Sequence, residues 1–320
     1  MNQIEFFRKW EMAFKNANTK PRKCLIDGCK NEAIKSHALQ KNGILKQISE
    51  KNHLYQFSNV SPFQKQTKGS FELLKIGIND AYTFQGFCNK HDSSIFKPIE
   101  IKDFDISDDS SISLFSYRAL CQEIRRKESA IDFTNAMILT KYNPSIVEFF
   151  TDYKSGLENG LKNLNYFKTE LESNKSNFTH KICEIPKIEI CLSAPLNIYD
   201  KNNFLTETHN DFGEVLNNPF VTSFLNIFPF NNKSYVMISI HNNFKCNWTI
   251  ELFDKFQNIK STEHLKLISD LITTRIEFWC ISPKLKQNIS TEKINELIQI
   301  WSKEVLNFDY VIETKLNLFE

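Results

Sequence analysis

Two short pairs of soft donors stand near the start of the chain: Cys24 and Cys29 in Cys-Leu-Ile-Asp-Gly-Cys, then Cys88 and His91 in Phe-Cys-Asn-Lys-His-Asp. Each spacing is short enough for both side chains of a pair to grip one ion. A Cys3His set of thiolates and imidazole is a common closed, tetrahedral shell for structural zinc. Gly28 sits where a tight knuckle between the first two ligands needs a permissive backbone. Zinc binding supplies about 10 kcal/mol or more of folding free energy, which a small module without a large core requires. The alternative reading leaves the cysteines as small buried hydrophobes and His91 on the surface. Another histidine, His37 in Ile-Lys-Ser-His-Ala-Leu-Gln, follows the first pair, and Asp92 directly follows the last ligand.

The elements that must position these residues can be read from periodicity. Residues 1–20 predict a helix with Ile4, Phe6, Phe7, Trp10 and Phe14 grouped on one face, ended by Pro21. Residues 22–100 carry the ligand pairs, and His53–Val60 with Phe71–Ile78 predict a hairpin inserted between them. The acidic run from Asp103 to Asp109 is the linker candidate. Helices follow, the first over 111–129 with Ile112, Phe115, Leu120 and Ile124 on one stripe. From Pro144, a natural first helical position, Ile146, Phe150, Tyr153, Leu157, Leu161, Leu164 and Leu171 recur every three or four residues. That stripe serves either as intramolecular core or as the seam of a homo-oligomer.

Beyond residue 177 the rhythm changes. Lys181–Leu192, Phe220–Phe228, Ser234–Ile240 and Arg275–Ile281 read as strands, with Pro186 marking an edge or bulge. Helices are predicted at about 248–258, 262–273 and 291–305. The expectation is an α+β fold: an N-terminal treble-clef zinc module (1–102), central long helices as a connector (110–175), and a C-terminal mixed α/β domain (176–320).

Composition bounds the function classes. The 320 residues are 41% hydrophobic with 28 Phe, ample for packed cores. No apolar run of about 18 residues predicts a membrane span, and Glu5, Arg8 and Lys9 interrupt any leader-like order at the N-terminus. A cytoplasmic protein with reduced thiols is expected. The net charge of +2 hides an asymmetry: residues 1–100 hold 16 Lys and Arg against 9 Asp and Glu, leaving 24 against 29 for the rest. A basic module on a mildly acidic body suits a nucleic-acid partner, or is simply a solvated lysine-rich surface. No phosphate-cradling G-x-x-x-x-G-K, no G-x-G-x-x-G and no nucleophile elbow is present, and only 8 glycines occur. His180, His209, His241 and His264 stand isolated; His209, Asp211 and His241 meeting in the C-terminal domain is the minor alternative to core or surface roles. Cys183 and Cys191 read as buried thiols.

Cys24-x4-Cys29, Ser36-His37-Ala38 and Gly86-Phe87-Cys88-x2-His91-Asp92 resemble the HNH (ββα-metal) endonuclease pattern in its zinc-stabilised form. They look closer still to a set of prokaryotic proteins with an SHxxQK…GFCxxHD signature, and the likeness covers roughly residues 22–100. The resemblance implies a phosphodiester-cleaving nuclease, in a setting such as prokaryotic defence against phage and other mobile DNA. It implies His37 as general base and Asp92 as a helix-borne ligand of a catalytic Mg²⁺ or Mn²⁺, with His91 left to zinc. Read from the residues themselves, Lys35, Lys41, Lys46, Lys65, Lys68, Lys75 and Lys90 form either a phosphate-facing surface, with Phe63, Tyr82 and Phe84 near it, or a set of solvated lysines. The chain departs from the pattern where Ser36 replaces an acidic or imidazole ligand and Thr83 replaces the middle asparagine; Asn79 is the nearest upstream. Without the likeness, His37 orients a loop through a backbone hydrogen bond or replaces His91 at zinc, and Asp92 caps a helix. The alternative function is a treble-clef module that reads nucleic acid or protein and cuts nothing.

Overall fold

The computed structural model describes residues 2–59, 71–101, 104–173, 175–197, 219–304 and 313–320. His209, Asp211, Phe63, Lys65, Lys68 and Asp103 lie outside the described residues. The elements in chain order begin with α1 (Gln3–Thr19), β1 (Lys35–His37), a π-helical turn (Lys41–Leu45) running into α2 (Lys46–Ile48), β2 (His53–Asn59) and β3 (Phe71–Gly77). Next come β4 (Thr83–Gln85), α3 (Asn89–Ile95), α4 (Lys97–Glu100), α5 (Asp109–Leu139) and α6 (Pro144–Ser173). The remainder holds β5 (Phe178–Pro186), β6 (Ile190–Leu196), β7 (Ser223–Phe230), β8 (Lys233–His241), α7 (Asn247–Asn258), α8 (His264–Thr274), β9 (Trp279–Ile281), α9 (Pro283–Gln287) and α10 (Thr291–Glu304). The fold is mixed α+β with long central helices, and none of the described helices is long and apolar enough to cross a membrane.

A seven-stranded antiparallel sheet in the order β3-β2-β9-β6-β7-β8-β5 divides the molecule. Strand residues alternate between its two faces. Phe224, Phe228, Tyr235, Met237, Cys191 and Cys280 join the core shared with α5, α6 and the N-terminal module. Leu225, Ile227, Val236, Ile238, Leu192 and Trp279 join a second core under α7, α8 and α10. Both faces are covered, so β7 and β8 are buried along almost their whole length. Pro186 ends β5, an edge strand, where a missing N–H costs no ladder bond.

The sheet crosses the boundary expected near residue 102. The hairpin β2–β3, drawn from between the two ligand pairs, pairs Tyr55 with Ile281 and Gln56 with Cys280 on β9. Residues 22–100 therefore contribute both a small two-stranded ribbon, β1–β4, and one end of the large sheet. Helix α5 is the spine between them, buried on nearly every side from Ser111 to Arg125 and N-capped by Asp108, which accepts from the Ser111 N–H. The stripe predicted on α6 is real: Phe150, Leu157, Leu164, Phe167 and Leu171 are buried, largely in cores shared with α5, so intramolecular packing consumes most of it. Phe149 and Tyr153 stay exposed.

Tyr82 is the bolt between ribbon and sheet. It is fully buried, its backbone N–H donates to Gln56 Oε1 at 2.8 Å, and its hydroxyl accepts from the Ser193 N–H at 2.7 Å and donates to Phe278 O at 2.8 Å. Its φ of +56° is strained for an aromatic residue and is held by these bonds. Tyr82→Phe leaves the buried Ser193 N–H and the partly buried Phe278 carbonyl without that partner, so it is expected to lower unfolding stability by about 1–3 kcal/mol. Urea denaturation measures this; an unchanged midpoint would remove Tyr82 as the link.

Candidate metal centre and the histidine on the neighbouring ribbon

Cys24 and Cys29 flank a knuckle closed by the Cys29 N–H donating to Ile26 O at 3.0 Å, with Gly28 at φ +76°. At this turn only a residue without Cβ is unstrained. Backbone bonds from Leu25 N to Gly86 O (3.0 Å) and from Ile34 N to Phe87 O (2.7 Å) hold the knuckle against the segment leading into α3. Cys88 occupies the N-cap of α3 and His91 lies in its first turn. The ligand atoms of Cys24, Cys29, Cys88 and His91 all lie within 4.8 Å of one another, and this is the one such group of His, Cys, Asp and Glu among the described residues.

The separations test whether zinc fits. Zn–S near 2.3 Å and Zn–N near 2.05 Å in a tetrahedron require S···S of about 3.8 Å and S···N of about 3.6 Å. The structure has Cys29 Sγ to Cys88 Sγ at 3.9 Å, Cys24 Sγ to His91 Nδ1 at 3.3 Å and Cys88 Sγ to His91 Nδ1 at 3.4 Å. The four donors fit a zinc ion, with His91 offering Nδ1. Asn31 Nδ2 reaches Cys88 Sγ at 3.9 Å, a supporting contact to a ligand sulfur. The backbone N–H of His91, aimed at Cys88, holds that thiol below the usual range, whereas burial pushes Cys24 up.

His37 ends β1, where its register partner on β4 is Thr83. Its Nε2 lies 3.1 Å from Ile78 O. A carbonyl only accepts, so Nε2 carries the proton and Nδ1 is left as a lone pair, with no partner among the described residues. Burial lowers the pKa of His37, the Ile78 carbonyl opposes this, and Lys41 and Arg118 lower it further against a weaker pull from Glu100. The ring is therefore neutral at pH 7 and remains so somewhat below pH 6.5. Because the folded state resists this proton, His37 contributes stability at neutral pH that is lost as pH falls below 6.5, where the unfolded imidazole protonates first.

Asp92 sits in the first turn of α3 without capping it; its Oδ1 is buried with no hydrogen-bond partner among the described residues. Neither His37 nor Asp92 belongs to a group of three or more His, Cys, Asp or Glu residues that could hold a metal ion among the described residues. Of the expected phosphate-facing lysines, Lys35 pairs with Asp80 and Lys41 Nζ approaches Asn79 Oδ1 at 3.4 Å, while Lys90 is exposed on α3. Tyr82 and Phe84 are buried and offer no stacking face to a strand. Sequence reasoning missed Arg118 and Glu100. Arg118 is 2% exposed, bonds Glu100 Oε1 at 2.5 Å and lies over the Phe96 ring at 4.0 Å. An arginine set between the apolar residues Phe115 and Leu120 of α5 was the available signal.

Three more of the described histidines are held in place: His241 Nε2 faces Glu170 at 3.2 Å, His264 Nε2 faces Phe256 O at 3.0 Å, and His180 Nδ1 faces Ser239 Oγ at 2.7 Å. Cys191 is buried opposite Cys280, and Cys183 is half-buried. Compared with known proteins, the chain matches no family model, no curated protein and no solved structure.

Proposed function

We propose that this chain is a zinc-stabilised HNH-like nuclease that hydrolyses phosphodiester bonds of nucleic acid, with His37 as general base. The observation that carries the reading is the state of His37: half-exposed at a strand end, neutral, tethered at Nε2 and open at Nδ1. An imidazole so held takes a proton from an attacking water without first losing one of its own. The frame supports it as well. A Cys-x4-Cys knuckle, a two-stranded antiparallel ribbon and a helix bearing the other two zinc donors follow one another in treble-clef order. Zinc in this shell is closed to substrate and would supply folding free energy, not chemistry.

The catalytic divalent cation fits less well. Asp92 offers one orphaned carboxylate oxygen, and a hard cation such as Mg²⁺ prefers several oxygen ligands. That shortfall favours a second reading in which the same frame grips nucleic acid and does not cut. Cleavage of plasmid DNA and of structured RNA by the purified chain, with Mg²⁺ or Mn²⁺ added, separates the two. Turnover supports the nuclease; binding that weakens with salt and no turnover supports the reader. If His37 is the base, the cleavage rate is expected to fall on the acid side only below pH 6.5, following its lowered pKa. An acid limb centred above that value in a pH–rate profile would remove His37 from the role.

A further inference from the structure

The turn between β3 and β4 runs through Ile78, Asn79 and Asp80, and a basic side chain reaches each of them. His37 Nε2 lies against Ile78 O at 3.1 Å, Lys41 Nζ meets Asn79 Oδ1 at 3.4 Å, and Lys35 pairs with Asp80. These contacts differ in what they leave over. Lys35 is neutralised by a carboxylate, and His37 is itself neutral at pH 7. Lys41 touches a neutral amide at the long end of hydrogen-bond distance and joins no ion pair among the described residues. Its charge stands beside an imidazole whose Nδ1 is open. The mount of Lys41 is fixed. Gln40, 4% exposed, donates from Nε2 to Glu100 O at 2.8 Å, and its carbonyl accepts from the Ile44 and Leu45 N–H groups, both at 3.0 Å. A Cβ at Gly43 would stand 1.7 Å from Gln40 Oε1, so the turn packs directly on that buried amide. Ile44 and Leu45 are fully buried. Single π-helical turns cluster at functional sites. This one holds the Lys41 backbone still while the side chain reaches across to Asn79.

We infer that Lys41 grips a phosphate of the bound nucleic acid beside His37 and steadies the charge that builds on that phosphate during cleavage. Its part in cleavage rests on the reading of His37 as general base; its grip on phosphate does not. A phosphodiester carries its negative charge on two non-bridging oxygens, and the Lys41 ammonium has three donors, of which Asn79 takes one. As the oxygen of the attacking water bonds to phosphorus, its proton passes to Nδ1 of His37 and the non-bridging oxygens gain charge. The bond from phosphorus to the leaving sugar oxygen breaks, its electron pair stays on that oxygen, and the oxygen takes a proton from solvent. A donor already in place where charge develops is the arrangement that lowers such a barrier. The electrostatics agree with the geometry: Lys41 and Arg118 lower the pKa of His37, and Glu100 raises it. Arg118 is buried, bonded to Glu100 and laid over the Phe96 ring, so it is closed to a strand. Of Lys35, Lys41 and Arg118, Lys41 is the one left without an acidic partner.

Binding and cleavage by the native full-length chain, Lys41→Met and Lys41→Arg test it, with Lys15→Met, an exposed position on α1, as the control for lost charge. Binding of a short DNA oligonucleotide, single-stranded and duplex, is followed by fluorescence anisotropy over a salt series without added Mg²⁺ or Mn²⁺, so no turnover is needed. Lys41→Met is expected to lower the slope of log affinity against log salt by about 0.7 to 0.9, the worth of one phosphate contact. Lys15→Met is expected to stay close to native. In single-turnover cleavage with saturating protein, Lys41→Met is expected to lose about 100-fold in rate, and Lys41→Arg to recover part of it because the charge is kept. NMR titration of the His37 imidazole without nucleic acid adds a readout that a structural role would not move. Removing the Lys41 charge raises that midpoint in Lys41→Met and leaves it in place in Lys41→Arg. A native salt slope in Lys41→Met, an unmoved His37 midpoint, or a native chain that binds neither form of the oligonucleotide overturns the inference. Cleavage by Lys41→Met at the native rate overturns it too and leaves the nuclease reading standing. If no protein cuts yet Lys41→Met loses the contact, the nuclease reading falls and the phosphate grip survives. Should Lys41→Met misfold, Lys41→Gln, with a polar tip and no charge, carries the same comparisons.

Discussion

Cys88→Ser is expected to lose bound zinc altogether and, with it, the cooperative fold. The native chain should carry about one zinc, and the shell's contribution is about 10 kcal/mol or more, comparable with the whole stability of a typical domain. Three donors left around the ion cannot close a tetrahedron of the kind the separations describe. The damage does not stop at the knuckle. Cys24 and Cys88 belong to the same apolar core as Phe87, Leu120 and Phe228, so loosening α3 opens the face of the large sheet that α5 covers. Elemental analysis should read zinc near one equivalent in the native chain and near zero in the variant. Thermal melting should show a large downward shift or insoluble protein, and a strong chelator should reproduce it on the native chain. Cys183→Ser is the control: its thiol is half-buried, outside the cluster, and should leave both readings unchanged. A Cys88→Ser protein that keeps zinc and melts normally would dismiss the metal centre.

His37→Ala is expected to reduce phosphodiester cleavage by about 100-fold or more, the scale of losing a positioned general base, while zinc content and melting temperature stay close to native. The structural cost is small. His37 is half-exposed, and its one hydrogen bond, to Ile78 O, is worth about 1 kcal/mol. That contrast separates catalysis from scaffolding: a loop-orienting histidine would show its loss in stability and little in rate. Single-turnover cleavage with enzyme in excess reads the effect without interference from product release. If both proteins cut at one rate, or neither cuts while both bind nucleic acid, the nuclease assignment falls and the reader takes its place. Unaltered binding by His37→Ala in the same assay would confirm that only the chemical step was removed.

Much of the local structure was legible because its causes are local. The two ligand pairs could be paired off from spacing alone, since four and two intervening residues leave little choice of reach. Helix α6 declared itself through residues recurring every three or four positions, and it runs from Pro144 as that pattern required. The hairpin of β2 and β3 was legible too, from two apolar runs flanking a polar stretch. The destination of that hairpin was not. Tyr55 and Ile281 meet across more than 200 residues of chain, and pairing at such separation depends on which edge the rest of the fold leaves open. Helix α5 went beyond its pattern: four apolar positions suggested a broad stripe, and serines, Gln122 and Arg118 are buried as well because the sheet, the ribbon and α6 surround it.

The candidate sites divide along the same line. By itself the sequence determined which donors can hold zinc and which imidazole stands nearest the ribbon, because ligand chemistry resides in side-chain type and short spacing. Tertiary structure alone decided that four sulfur and nitrogen atoms gather within 4.8 Å of one another, that Nε2 of His37 is tethered so Nδ1 is open, and that Asp92 joins no cluster of metal-ligating groups among the described residues. It alone also carried Ile78 and Asn79 back to His37 and Lys41, across 41 and 38 residues of chain. The physical reason is that hydrogen-bond partners, burial and the field around a charge are properties of packed surfaces, and no window of sequence contains both sides of a contact.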